Sequence, residues 1–301
     1  MRILRRLLAL TLAALLASLL APADAHARPS DYPGMASYPT YNSRFYDGPP
    51  IGHLAGYVPQ GIAYWKPKDA LVLSYYDEDY AGSPALLSVR NRLGKKNERK
   101  WIKIVGGHAG GVVIGTKYLW VASTDVNDNP YVYRYSLKRL AQAKHRSYLT
   151  YDKRFPVAAS SYVTLRGGDL WVGQHSTGLV GTMYRYDIGR RGNLSKGYKS
   201  LMTTPNKVQG AVFSGSYVIY SRSWGRTNAS TITVTNLEAN TSRSFSAPSM
   251  TQGATIADGW YYLSTESAAS KYKNGEDDNG ESINPIGKVH YASVRGLKGL
   301  V

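Results

Sequence analysis

One segment plan recurs five times along this chain, and it constrains the fold more than any other feature. Each copy opens on a small or polar residue, often Gln-Gly, and continues as an apolar triplet. It then makes a tight turn and returns as a second apolar strand. The copies read Gln60–Tyr64 with Leu71–Leu73, Gly110–Ile114 with Leu119–Val121, Ser161–Leu165 with Leu170–Val172, Gln209–Phe213 with Tyr217–Ile219, and Gln252–Ile256 with Trp260–Tyr262. Their opening residues are 50, 51, 48 and 43 positions apart. The turns between the paired runs are short and carry hairpin chemistry, as in Arg166-Gly-Gly-Asp169 and Ala257-Asp-Gly259. A unit of this size cannot bury its apolar faces alone, so the copies must stack on one another.

Strand-sized runs at a period of about 40–50 predict an all-β, five-bladed β-propeller with one four-stranded blade per repeat. Third strands are expected at Leu86–Val89, Tyr131–Tyr135, Thr182–Tyr186, Thr231–Val234 and Val289–Val294, several of them alternating with period 2. Fourth strands are expected at Lys100–Ile104, Ser147–Tyr151, Lys199–Met202 and Ser242–Phe245. The fifth blade reaches Val301 without one, and an unpaired edge invites aggregation. An N-terminal strand is expected to close that blade, with Ile51–Leu54 as the candidate. The predicted organisation is a signal peptide over 1–27, an extended N-terminal arm over 28–50 and one propeller domain over 51–301.

The leader assignment rests on basic Met1–Arg6, the apolar run Leu7–Leu20 and the small-x-small site Ala25-His-Ala27. It predicts a secreted, extracellular protein with a mature start near Arg28. No later segment approaches the ~20 apolar residues of a spanning helix. The chain has no cysteine, so its stability must come from a large closed core without disulfides. Its net charge of +17 favours acidic partners such as anionic polysaccharide or cell-wall polymer. Basicity alone would also fit nucleic acid, but no basic helix or binding motif supports that partner. A monomer is expected.

Connections after the second strands are long, roughly 75–84, 123–130, 174–181, 221–229 and 264–287. In an up-and-down blade they emerge where the first strand begins, so one rim gathers both the long loops and the opening residues. Gln60, Gln209 and Gln252 open three first strands and offer uncharged donors and acceptors near the axis. They also suit the task of knitting adjacent blades. Lys207 precedes one opening by two positions, and Tyr75, Tyr76, Tyr80 and Trp224 lie where exposed aromatics would stack on sugar rings. Four rim residues carry catalytic potential. His108 and His175 titrate near neutral pH, Arg222 can clamp a carboxylate or phosphate, and Glu266 can take the complementary proton role.

The chain resembles five-bladed β-propellers as a class over essentially residues 51–301, in repeat plan and length. That resemblance implies a lectin-like sugar binder, a glycosidase or a calcium-dependent nucleotidase. Glycosidases of this shape use two inward carboxylates, whereas the first-strand openings here carry Gln, Gly and Ser. No Gly-x-Ser-x-Gly elbow and no zinc spacing occurs. No resident cofactor is expected. Calcium is the open alternative, at Asp125–Asn129 or Asn274–Glu281, both out of register with an EF-hand loop. The leading expectation is therefore a binder of an anionic or polyhydroxylated ligand at the long-loop rim. The alternative is an enzyme at the same place, a polysaccharide lyase or an ester or phosphodiester hydrolase.

Overall fold

A computed structural model describes residues 28–79, 83–93, 98–275 and 280–301. The expected signal peptide lies outside them, as does Tyr80. In chain order the strands are β1 (Phe45–Pro50), β2 (Tyr57–Trp65), β3 (Ala70–Asp77), β4 (Ala85–Asn91), β5 (Glu98–Ile104), β6 (Gly111–Ile114), β7 (Tyr118–Thr124), β8 (Pro130–Ser136), β9 (Lys153–Pro156) and β10 (Tyr162–Arg166). They continue as β11 (Asp169–Gly173), β12 (Val180–Tyr186), β13 (Ser200–Pro205), β14 (Val208–Ser214), β15 (Tyr217–Arg222), β16 (Ser230–Asn236), β17 (Thr241–Ala247), β18 (Thr251–Ala257), β19 (Trp260–Thr265) and β20 (Lys288–Ser293).

These strands form five four-stranded antiparallel sheets, four of them sequential and the fifth ordered β18-β19-β20-β1. The innermost strands β2, β6, β10, β14 and β18 neighbour one another in a closed ring, β18 returning to β2. The fold is a five-bladed β-propeller, as the repeat predicts.

The Gln-Gly step explains how the inner strands come so close. A Cβ on Gly61 would fall 2.4 Å from the Val112 nitrogen, and one on Gly253 would fall 2.6 Å from the Gly61 Cα. Only a residue without a side chain fits where backbone meets backbone. Buried serine hydroxyls then rivet blade to blade. Ser74 donates to the Ala109 carbonyl at 2.9 Å, and Ser264 donates to the Gln60 carbonyl at 2.7 Å. Each bond satisfies a buried polar group that would otherwise destabilise the ring by about 1–3 kcal/mol.

The closing strand is Phe45–Pro50, where sequence reasoning expects Ile51–Leu54. It pairs antiparallel with β20 through Phe45↔Ala292, Tyr46↔Tyr291 and Asp47↔His290. Ile51 only continues that contact, donating its N–H to the Gly287 carbonyl at 2.9 Å. Pro49 and Pro50 obscure the strand in the sequence, yet an outermost edge needs no donor on its free side. Residues 28–44 are correspondingly not an extended arm. They form short helical turns and the helix Pro39–Arg44, whose buried Tyr41 stacks on Phe45 at 4.0 Å.

A second difference concerns blade two. Its fourth strand is Lys153–Pro156, whereas Ser147–Leu149 runs beside Lys103 on the outer edge of blade one. The segment between them holds a short helix, Leu137–Gln142, capped by the Ser136 hydroxyl. Its Leu137 and Leu140 pack into the core between blades one and two, so this insertion covers a sheet edge.

Candidate functional site

The long loops and the openings of the inner strands do share one rim, and a polar cluster from several blades meets there. Its centre is Glu266, just past the end of β19. The Gln60 amide of blade one donates to Glu266 Oε2 at 2.8 Å, bridging the ring closure. Burial pushes the Glu266 carboxyl up to about 7, against the amides of Gln252 and Gln60 and the positive charges of Arg226 and Lys271. At neutral pH this carboxyl is therefore poised between proton donor and acceptor.

Two tyrosines flank it. The Tyr76 and Tyr272 hydroxyls lie 2.6 Å apart, and burial with the Glu266 charge raises both above the ordinary phenol range. The ring of Tyr76 stacks on His108, with centroids 4.9 Å apart and planes 20° apart. His108 is open to solvent yet walled by protein, as a side chain in a channel mouth would be. That enclosure lowers its pKa; Asp128 opposes the shift, while His175 and Lys271 add to it. His175 Nε2 lies 3.3 Å from the Ser223 carbonyl of blade four.

The other expected site residues divide. Gln60 and Gln252 are buried and join the Glu266 group, so the repeated Gln both knits blades and builds the site. Gln209 is half-buried and is not drawn into that group. Tyr75 is a correction, being fully buried with its hydroxyl donating to the Ile51 carbonyl at 2.7 Å. Strand alternation sends Tyr75 to the core and Tyr76 to the rim. Arg222 stands apart from Glu266, donating through Nε to the Asn206 carbonyl at 2.9 Å and through Nη2 to its side-chain oxygen at 2.5 Å. Trp224 is 47% exposed, and the Lys207 ammonium lies 3.4 Å from its ring centroid.

Sequence reasoning misses Lys271, Tyr272 and Arg226. They sit in long loops with no repeat signature. The Arg226 guanidinium lies 4.7 Å from the Tyr272 ring centroid, and Lys271 donates its N–H to Glu78 at 3.3 Å. Among the described residues no group of three or more His, Asp or Glu side chains is placed to hold a metal. Asp125 Oδ1 accepts the N–H groups of Asn127 and Asn129, which folds its own loop. Part of the Asn274–Glu281 stretch lies outside the described residues.

A larger cavity of ≈360 Å3 lies at the opposite end, among hairpin residues of blades two and three such as Thr116, Tyr118, Gly168 and Arg190. Its lining residues include no histidine and no carboxylate. No helix among the described residues is long and apolar enough to cross a membrane.

No family model matches the chain, and no curated protein does. Solved structures do. The GH43_1 enzyme from Xanthomonas citri is similar at 9% identity, over 82% of this chain and 89% of that one, with a TM-score of 0.51. Its complex with xylotriose is similar at 10% identity over the same shares, with a TM-score of 0.52. A Kuenenia stuttgartiensis hydrazine synthase chain is similar at 15% identity and a TM-score of 0.41, and this chain spans 61% of its length. At these identities the likeness is one of fold.

Proposed function

We propose that this chain is a secreted propeller that binds a polyhydroxylated ligand, a polysaccharide or cell-wall polymer, at the long-loop rim. One observation carries the reading. A half-buried carboxyl near its midpoint of titration is held by Gln60 and flanked by the Tyr76–Tyr272 pair. Sugar hydroxyls both donate and accept, so a site mixing carboxyl, amide and phenol groups beside an aromatic face matches them. The propeller enzyme of like fold that holds xylotriose supports the ligand class. Secretion is part of the proposal and rests on the N-terminal pattern, while the excess of positive charge favours an anionic polymer.

A second reading is favoured by the titration of Glu266 alone. A carboxyl at about 7 suits general acid or base work, and Lys271 and Arg226 supply positive charge beside it. On an acidic polysaccharide that pairing fits a lyase, with the cations neutralising the sugar carboxylate and a base removing the proton on the carbon next to it. A C=C bond forms as the glycosidic C–O bond one carbon further breaks, and the departing oxygen takes up a proton as the new chain end. Glu266 or His108 would be that base.

The test is a titration of neutral and acidic oligosaccharides against wild type, E266Q and Y272F, with product analysis. A binder loses affinity about tenfold or more in Y272F or E266Q and releases no product. In wild type the affinity changes across pH 6–8 as Glu266 ionises, and in E266Q that dependence disappears. A catalyst instead releases shortened chains, and E266Q lowers the rate roughly 10²–10⁴-fold. Binding that is identical in all three proteins would exclude the rim centre under either reading.

A further inference from the structure

On blade four of the same rim, apart from the Glu266 cluster, lies a polar pocket of ≈270 Å3 lined by Asn206, Lys207, Arg222, Trp224, Ala229 and Thr231. Arg90, Arg92, Arg139 and Arg185 each lie against a carboxylate. Arg222 does not. Its Nε and Nη2 donate to the main-chain and side-chain oxygens of Asn206, and its Nη1 donates to the Thr233 hydroxyl at 3.3 Å. A guanidinium has five N–H donors. One on each terminal nitrogen therefore has no acceptor among the described residues. Burial lowers the pKa of Arg222, and no anionic group among the described residues offsets it.

Lys207 adds a second positive charge in the same pocket, its ammonium lying over the Trp224 ring. Its backbone is fixed in the left-handed region at φ 59, as are Ala109 and Met250 at corresponding blade junctions. Hydrogen bonds on both sides lock it there, from its N–H to the Ser176 carbonyl and from the Ser223 N–H to its own carbonyl, each 2.8 Å. Two cations, a fixed backbone and a polar cavity with spare donors make a receptor for negative oxygen atoms.

We infer that this pocket is an oxyanion-binding site, taking a carboxylate or a sulfate or phosphate ester borne by the ligand, with Arg222 and Lys207 as its charged ligands. It stands independently of what Glu266 binds. Its place is nonetheless telling, because Ser223 lies between Arg222 and Trp224 in the chain and its carbonyl faces His175 at 3.3 Å. An acidic polymer lying across the rim would reach both.

The experiment is calorimetric or NMR titration of the protein with glucuronate, glucose, inorganic sulfate and inorganic phosphate at low salt. Wild type is expected to bind at least one of the three anions and to ignore glucose. R222Q and K207N should weaken that binding tenfold or more, since asparagine tolerates the left-handed backbone. R99Q, on the outermost strand of blade one, should leave it unchanged. A glucuronate preference identifies the source as a uronic carboxylate, and a sulfate or phosphate preference identifies an ester. Anion binding that is equal in wild type, R222Q and K207N would overturn the proposal, as would no anion binding in wild type. Melting curves of both variants keep a folding failure from passing as a loss of binding, and K207N, at a half-buried position whose backbone asparagine tolerates, serves if R222Q fails to fold.

Discussion

Asp47 Oδ1 lies 3.3 Å from His290 Nε2 across the seam that closes the propeller, and both side chains are almost wholly enclosed. The contact has ion-pair distance without the alignment of a hydrogen bond. On the far side of the ring the Tyr41 hydroxyl meets His290 Nδ1 at 2.8 Å, and Lys288 donates to Asp47 Oδ2 at 2.8 Å. A neutral His290 with its proton on Nε2 suits both neighbours. The closing strand is thus tied to β20 by a buried polar chain as well as by its ladder.

Removing one member should therefore act on the whole ring. D47A would leave the buried His290 nitrogen without its partner, while the Lys288 ammonium, 41% exposed, can turn to water, a loss of about 1–3 kcal/mol. For a chain of this size that corresponds to a fall in Tm of roughly 2–9 °C. Deletion through Pro50 should go further, exposing the outer edge of β20 and promoting aggregation. An unchanged Tm for D47A would show that the seam is held by backbone pairing alone.

The pH dependence of stability should have two limbs of opposite sign. Burial lowers the His290 pKa although Asp47 opposes it, so the unfolded chain takes up a proton from about 6.5 downward that the folded chain refuses. Stability is lost as pH falls through that range. Burial raises Asp47 and Glu98, but the contacts of Asp47 with His290 and Lys288 reverse the shift, and His53, Ser88 and Arg90 bring Glu98 to about 2. Both therefore add to the acid loss once pH drops below their ordinary values of 3.8 and 4.5. Glu266 acts the other way. Its contribution is complete below 4.5 and is lost as pH rises through about 7. Scanning fluorimetry from pH 4 to 9 should find E266Q gaining on wild type between about 4.5 and 7 and running parallel above. Parallel curves over the whole range would refute the shift at Glu266.

A third expectation concerns the inner ring. In G253A the new methyl would meet the Gly61 Cα and the Gln60 carbonyl, at 2.6 and 2.8 Å, and neither backbone can swing aside. The substitution should destabilise by about 1–3 kcal/mol as overpacking does. G215A, in an open turn with nothing within 4 Å, should be limited to the cost of its positive φ. Denaturant midpoints of the two variants decide the matter, and equal losses would mean that close approach at the axis is not what selects Gly253.

Those glycines also show what the sequence makes legible. Gln-Gly before an apolar triplet recurs because every blade presents its inner strand to a neighbour at the same spacing, so fold and rim could be read directly. Gln60 and Glu266 were readable for the same reason, being anchored to repeat positions. Tyr75 and Tyr76 were separable only by strand phase, which a bulge between Pro59 and Ile62 in the partner strand obscures. Tyr272, Lys271 and Arg226 belong to loops free of any repeat constraint; the first two share the loop of Glu266, and Arg226 meets Tyr272 because blades four and five lie side by side. The closing strand itself was hidden by Pro49 and Pro50, residues that an edge strand tolerates and a sequence pattern does not count.

The last expectation follows from where the positive charge lies. Lys138, Lys144, Arg146, Lys153, Arg190, Arg191, Lys196 and Lys199 are all exposed, and all belong to blades two and three or to the insertion packed between blades one and two. Arg139 and Arg185 in the same blades are partly neutralised by Asp152 and Asp169, so the exposed excess is concentrated there. Long-range attraction of an anionic polymer should act through this face, and attraction of that kind is screened over about 8 Å at physiological salt. Raising the salt from 50 to 500 mM should weaken binding of an acidic polysaccharide tenfold or more. Replacing Lys144, Arg146, Arg190 and Arg191 with Glu should remove most of that salt dependence. It should leave the affinity for a short neutral oligosaccharide within twofold, because none of the four side chains reaches the Glu266 cluster. A salt response that survives the fourfold replacement would move the polymer contact to blades one, four or five.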